Sequence, residues 1–131
     1  MDQVRFADVP AFVILKAIAL DQRQENKDAA DLIHVLRYSG SIEKVAGLFV
    51  DRIRSGMHMA AVSDGMAALK RRFCDDEYGE GFEKVGAVAY ARFHGTDDDD
   101  DQVRTQRYAA GLVQALLEQI DTQLEAVKEP A

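Results

Sequence analysis

The segment Lys16–Leu32 encodes two helices and the turn between them, and it reads KAIALDQRQENKDAADL. Lys16 is the only charged residue in positions 9–20, which are apolar on nearly every side of a helix. That pattern is typical of a buried helix. A charge in a low-dielectric interior is costly unless an opposite charge accompanies it. The second helix offers Asp28 and Asp31, so the sequence predicts that the two helices pack against each other.

The charged residues of the two helices lie on faces that can meet. Lys16 and Arg23 are seven positions apart, which places them within about 20° of each other around a helix. Asp28 and Asp31 are neighbours in the first turn of the second helix, where the helix dipole favours carboxylates. Because a short connection makes the helices antiparallel neighbours, we expect Arg23 near Asp28 and Lys16 near Asp31.

Two interpretations of these four residues remain open at this point. They form either a structural ion-pair network, or a site where lysine meets a phosphate and aspartate meets its Mg²⁺ ion. The spacing alone does not choose between them.

The composition describes a single acidic domain. The chain has 131 residues, a formal net charge of −7 and one cysteine. An acidic chain is a poor match for direct nucleic-acid binding, which requires a basic surface, and one cysteine excludes an internal disulfide. No apolar run approaches the ~20 residues of a membrane span, and no signal-peptide pattern is present. We therefore expect a cytoplasmic location and no membrane partner.

Apolar residues recur at helical spacing along most of the chain and predict an all-α fold, a helical bundle of five or six helices. We expect one helical domain over residues 1–131. Within it, residues 1–9 form an extended lead-in, 10–38 a helical hairpin and 41–127 the rest of the bundle. The predicted helices run from Pro10 to Gln22 or Gln24, over Lys27–Tyr38, from a Ser41 cap to Ser55, over Met57–Phe73 and Phe82–Phe93, and over Gln102–Val127.

Two groups of acidic residues are predicted not to bind metal. Asp28, Asp31 and His34 step round a helix so that the outer two lie about 120° apart, which one ion would not bridge. The Asp97–Asp101 run lacks the glycine and the distal glutamate of an EF-hand loop. We expect it to be a solvated loop whose last residues cap the final helix.

Two further features have structural explanations. Cys74 precedes Asp75, Asp76 and Glu77, and this negative setting raises a thiol pKa and makes the cysteine a poor nucleophile. The basic cluster Lys70–Arg72 ends the fourth predicted helix and complements its dipole.

The helical hairpin carries two short motifs, KAIALDQR at 16–23 and KDAADL at 27–32. They resemble the Lys-x-x-Ala-hydrophobic-x-x-Arg and Lys-Asp-x-x-Asp-Leu motifs of nucleotidyltransferase-like proteins of the abortive-infection AbiEii type. The resemblance covers roughly Val9–Tyr38. Such proteins use NTP and Mg²⁺, and some are toxins of toxin–antitoxin pairs.

The resemblance implies a role for each of the four charged residues. Lys16 would touch the nucleotide phosphate or the catalytic acids. Asp28 and Asp31 would orient Lys16, and Arg23 would support them. These roles would make the four residues one side of a nucleotide-binding site.

In that family the catalytic elements, a Gly-Ser turn followed by an Asp-x-Asp pair, precede these motifs, and no such pattern precedes Lys16 here. Asp2 and Asp8 are too far apart to replace the pair, and two-metal phosphoryl transfer requires such carboxylates. The resemblance is therefore to the C-terminal helical part of such a protein, with residues 4–9 as the last strand of a missing sheet. We expect no catalytic residue, no metal site and no cofactor in this chain alone, since Mg²⁺ and NTP are implied only for the complete family protein.

Two functions follow as hypotheses. The first is an accessory domain that completes a nucleotide site with an N-terminal catalytic domain or partner protein. The second is a helical protein-interaction or dimerisation module, such as a homodimer, with no nucleotide role. The first predicts that Lys16 is reachable from a cleft, and the second that Asp31 and apolar neighbours enclose it.

Overall fold

The computed structural model describes residues 9–95 and 97–128, and only the backbone of the last two of these. Its six α-helices confirm the predicted all-α bundle. The extended lead-in falls outside the described residues except at Val9, where the prediction is wrong because Val9 already belongs to the first helix. The helices are α1 Val9–Arg23, α2 Asn26–Tyr38, α3 Ile42–Ser55, α4 Met59–Phe73, α5 Val85–His94 and α6 Asp99–Lys128.

A two-residue turn joins α1 to α2 and makes them antiparallel. The Gln24 amide donates to the Leu20 carbonyl oxygen at 2.8 Å, and Gln24 adopts a left-handed conformation with φ of 55°. A left-handed residue ends a helix because it turns the chain away from the helix axis. Glu25 is extended and precedes the first residue of α2, so Asn26 lies inside the helix and not at the N-cap position that suits its side chain.

The described helices share one hydrophobic core. Helix α1 packs between α2 and α4, α3 packs on α6, and α5 packs against α2 and α6. The core side chains follow the helical spacing seen in the sequence. The largest fully buried ones are Val9, Val13, Leu20, Leu32, Ile33, Leu36, Val45, Phe49, Leu69, Phe73, Leu116 and Ile120.

The acidic run is mostly helical, so the prediction of a loop over Asp97–Asp101 is wrong for its last three residues. The Asp98 carboxylate accepts the backbone amides of Asp100 at 2.9 Å and Asp101 at 3.3 Å. Helix α6 therefore starts at Asp99 and not at Gln102. Carboxylates in a first turn are stabilised by the helix dipole, which explains why the run folds into the helix.

Two other helices begin later in the sequence than predicted. Helix α5 begins at Val85 and not at Phe82, because Gly81–Glu83 forms a separate 3₁₀ turn. Helix α4 begins at Met59, because His58 has a left-handed φ of 56°. Helix α4 continues through Gly65 without interruption.

Gly65 lets α1 and α4 approach each other closely. A Cβ atom at this position would lie 2.5 Å from Ile14 Cγ2 and 3.1 Å from Ile14 Cα. The second distance involves backbone, so the conflict could be relieved only by moving the helices apart. Gly65 is therefore required by packing.

We predict that Gly65→Ala lowers the free energy of unfolding by about 1–3 kcal/mol, because overpacking outweighs the better helix propensity of alanine. Gly111→Ala is the matched control. Gly111 lies exposed inside α6, and nothing lies within 4 Å of a Cβ atom placed there. This control should raise the free energy of unfolding by up to about 1 kcal/mol. Urea unfolding followed by circular dichroism measures both, and equal effects of the two changes would contradict the close approach.

Candidate functional site

The charged residues of the α1–α2 hairpin form one network around a buried carboxylate. Asp28 is 2% exposed. It accepts hydrogen bonds from Arg23 Nε at 2.8 Å and from Arg23 Nη2 at 2.9 Å. This bidentate pair joins the last residue of α1 to the first turn of α2, so it closes the hairpin at its turn.

Lys16 lies about two turns before Arg23 on α1 and contacts the carboxylates of both Asp28 and Asp31. Its Nζ lies 2.8 Å from Asp31 Oδ2 and 3.5 Å from Asp28 Oδ1. Lys27 Nζ lies 2.9 Å from the same Asp31 oxygen. We call Lys16, Arg23, Lys27, Asp28 and Asp31 the hairpin network.

The pairings predicted from the sequence are confirmed. Arg23 meets Asp28, and Lys16 meets Asp31. The sequence analysis missed Lys27, although its spacing of four from Asp31 is a recognisable signal for an ion pair on one helix. The network holds three cations, and Glu25, 3.1 Å from Arg23 Nε, adds a third carboxylate.

The pKa values of Asp28, Asp31 and Lys16 are shifted towards the charged forms of these groups. The Arg23 guanidinium, through its hydrogen bonds, keeps the pKa of Asp28 below the ordinary 3.8 against the opposing effect of burial. Burial raises the pKa of Asp31, but hydrogen bonds from Lys16 and Lys27 outweigh it and leave that pKa lowered. The hydrogen bond to Asp31 raises the pKa of Lys16 above 10.5.

The network is open on one side, and the prediction that α1 is buried all round is wrong there. Among the described helices, α2 and α4 pack on α1, with a smaller contact from α3, and the side of α1 that carries Phe12 and Leu15 stays exposed. The Lys16 side chain is 25% exposed, and its Nζ lies 5.7 Å from the ring centre of Phe12. Phe12 and Leu15 are 38% and 65% exposed on the same helix. Lys16 is thus neither enclosed nor free of partners.

No metal site is found among the side chains that the structure describes. No three His, Cys, Asp or Glu residues within residues 9–95 and 97–126 come together as a metal-binding group. His34 is exposed and packs on Tyr38, with ring centres 4.7 Å apart. The carboxylates of Asp28 and Asp31 face cations of their own protein instead.

A second charged cluster links the ends of α1 and α4. The Asp21 carboxylate accepts hydrogen bonds from Arg71 at 2.7 and 3.0 Å and from Arg72 at 2.8 Å. These bonds lower the pKa of Asp21. The sequence analysis assigned the Lys70–Arg72 cluster to the helix dipole and missed this bridge, because the partners lie 50 positions apart with no local pattern to connect them.

Cys74 is not an activated nucleophile. Burial, with a smaller contribution from Asp75, raises the pKa of its thiol to about 11. The predicted direction is confirmed, although burial is the larger cause. A thiol that keeps its proton at neutral pH is unreactive.

Comparisons with known proteins identify no family for this arrangement. No protein-family model matches the chain, and no curated protein or solved structure matches it either. Among the described residues, no helix is both long enough and apolar enough to cross a bilayer. The nucleotide-binding roles implied for Lys16, Arg23, Asp28 and Asp31 therefore stay predictions, although the structure brings the four side chains together.

We predict that Asp28→Asn lowers the free energy of unfolding by about 2 kcal/mol, because a buried acceptor of charge-assisted hydrogen bonds loses its charge. Asp51→Asn, at an exposed position of α3, is the matched control and should change stability by less than about 0.5 kcal/mol. Urea unfolding measures the difference. A similar small effect of both substitutions would show that the network contributes nothing to the hairpin.

We also predict a loss of stability in acid. Asp21, Asp28 and Asp31 have pKa values below 3.8 in the folded chain, so their contribution is present above the unfolded-state pKa. It is lost as the pH falls through the folded values. As the pH is lowered below about 4, the urea concentration at the unfolding midpoint should decrease. The decrease should be less steep in Asp28→Asn than in Asp51→Asn. Parallel curves for the two variants would contradict the assignment.

Proposed function

We propose that this chain is a helical accessory domain of a nucleotidyltransferase-like protein, without catalytic activity of its own. In this proposal Lys16, Arg23, Asp28 and Asp31 form one side of a nucleotide site that a catalytic domain or partner protein completes. The sequence resemblance singles out these four side chains. The observation that carries the proposal is that they meet between α1 and α2, on a side of the hairpin that is partly open to solvent.

The ion pairs of the hairpin network would let Lys16 bind a ligand with a small loss of free energy. If its ammonium turned towards a phosphate, Asp28 would keep the two hydrogen bonds from Arg23. Asp31 would keep its ion pair with Lys27. Removing one partner of a buried ion pair is costly because it leaves the other charge unpaired. Here neither carboxylate would be left without a cation.

The exposed side of α1 is a suitable contact for a partner domain. Phe12 and Leu15 lie within about one helical turn before Lys16, and both are large apolar side chains exposed to solvent. Exposed apolar side chains bordered by polar residues mark surfaces where a second protein binds. A partner bound there would cover the open side of the network.

The proposal predicts weak binding of Mg·ATP to the chain alone at the hairpin network. In ¹H–¹⁵N spectra, millimolar Mg·ATP should shift amide signals around Lys16 and Asp31. Lys16→Met should abolish these shifts. Lys84→Met is the matched control, because Lys84 is also a partly buried lysine, paired with Asp76 at 2.6 Å, but it lies outside the hairpin network.

Shifts that are absent, or equal in Lys16→Met and wild type, would contradict the nucleotide role. The purified chain with labelled NTP should label no acceptor, since no Asp-x-Asp pair precedes Lys16 in the sequence. Labelling above background would contradict the accessory role.

The exposed α1 side chains favour dimerisation as a second candidate function, without any nucleotide role. Under this alternative, sedimentation equilibrium of the wild type should show a homodimer, and Leu15→Glu should make it monomeric. Tyr78→Glu is the control, because Tyr78 is 85% exposed in the turn after α4. A monomeric wild type would exclude this alternative.

A further inference from the structure

A cluster of aromatic and basic side chains lies where α2, α5 and α6 meet, and the proposed function does not use it. We call Arg37, Tyr38, Tyr90, His94 and Tyr108 the aromatic cleft. Arg37 is its centre, with Cζ 5.2 Å from the ring centre of Tyr38 and 5.6 Å from that of Tyr108. Tyr90 and His94 pack edge to face at 4.5 Å.

Two neighbouring cavities open on this cleft and share Arg37, Tyr90 and His94 in their walls. One has a volume of about 370 Å³ and also contacts Tyr38 and Phe93. The other has a volume of about 360 Å³ and also contacts Thr105 and Tyr108. Each is in the range of small-molecule sites, which combine aromatic walls with a few polar groups.

The cleft has one cation that no carboxylate compensates. Arg37 has no carboxylate within ion-pairing distance among the residues the structure describes. The other charges at the cavities are paired, Arg104 with Asp101 and Asp31 with Lys16 and Lys27. In a chain of net charge −7, this is a local positive site.

We propose that the aromatic cleft binds a small molecule that carries an oxyanion, a phosphate or a carboxylate, on a planar ring. The guanidinium of Arg37 presents a planar fork of donors that fits such an oxyanion. Tyr38 and Phe93 are 65% and 54% exposed, and their rings offer faces on which a planar group stacks. The inference uses residues of this chain alone and does not depend on the proposed nucleotide role of the hairpin network.

The surroundings favour a small anion over an extended nucleic acid. The acidic first turn of α6, Asp99–Asp101, directly precedes Arg104 and Thr105 on the same helix. A polyanionic strand that followed the cleft along α6 would meet these carboxylates, whereas a compact oxyanion held at Arg37 need not extend to them. The charge pattern thus limits the ligand in size.

Tyrosine signals give a direct measurement of binding. The chain has no tryptophan and four tyrosines, and three of them line the cleft. In a Tyr78→Phe background, every tyrosine ring signal in a ¹³C-labelled sample therefore comes from the cleft. The probes are AMP and indole-3-acetate, which distinguish a phosphate from a carboxylate source. Adenosine and ribose 5-phosphate each lack one of the two required parts.

At least one of the two ring-bearing anions should shift the Tyr38 and Tyr108 signals. Adenosine and ribose 5-phosphate should each bind at least about tenfold more weakly than that anion. Arg37→Met should weaken binding by about tenfold or more, because the charge-assisted hydrogen bonds are lost. Arg92→Met, an exposed arginine of α5 that lines neither cavity, should leave binding unchanged. Arg37 is exposed, so its replacement should not prevent folding.

Three results would overturn the proposal. The first is the absence of tyrosine shifts with both ring-bearing anions. The second is equal binding by the Arg37→Met and Arg92→Met variants. The third is binding of ribose 5-phosphate as tight as that of AMP, which would show that the rings of the cleft take no part.

Discussion

The buried carboxylate of Asp28 is the constraint on which the hairpin depends. It is 2% exposed, and a charge in that position is tolerated only with partners close by. Arg23 from the end of α1 and Lys16 from its middle supply them, which fixes the register of α1 against α2. Lys16 lies partly in solvent beside Phe12, and Arg23 and Lys27 also compensate the two carboxylates. A structural network and a partly available lysine therefore coexist in one seam.

The parts of the fold that depend on local pattern could be predicted from the sequence. Helical spacing of apolar residues gave the all-α bundle, and a short connection gave the antiparallel hairpin. The Arg23–Asp28 and Lys16–Asp31 pairs followed from periodicity together with that short connection. Seven positions on α1 and three on α2 bring both charged residues of each helix to one face. The Ser41 cap is also observed, with its hydroxyl accepting the Lys44 amide at 3.1 Å.

Some features could not be predicted because they join segments that are distant in the sequence. Others depend on which helix surfaces no neighbouring helix covers. Asp21 meets Arg71 across 50 positions, and the aromatic cleft draws on three helices, so no window of sequence contains either of them. One side of α1 is exposed because none of the described helices that pack on it, α2, α4 and to a lesser extent α3, covers that side, and an apolar pattern cannot reveal this. The acidic run was misjudged because its composition is typical of a loop, whereas capping by Asp98 makes it the start of α6.

The most direct measurement of the central claim is an NMR titration of the Asp28 side-chain carbon in wild type and Lys16→Met. Charged partners around a buried carboxylate favour its ionised form, and burial without partners favours the protonated form. We predict that Asp28 titrates below its ordinary pKa of 3.8 in both proteins, and at a higher pH in Lys16→Met than in wild type. A pKa of Asp28 at or above 3.8 in the wild type, unchanged by the substitution, would contradict the claim that this carboxylate holds the hairpin together.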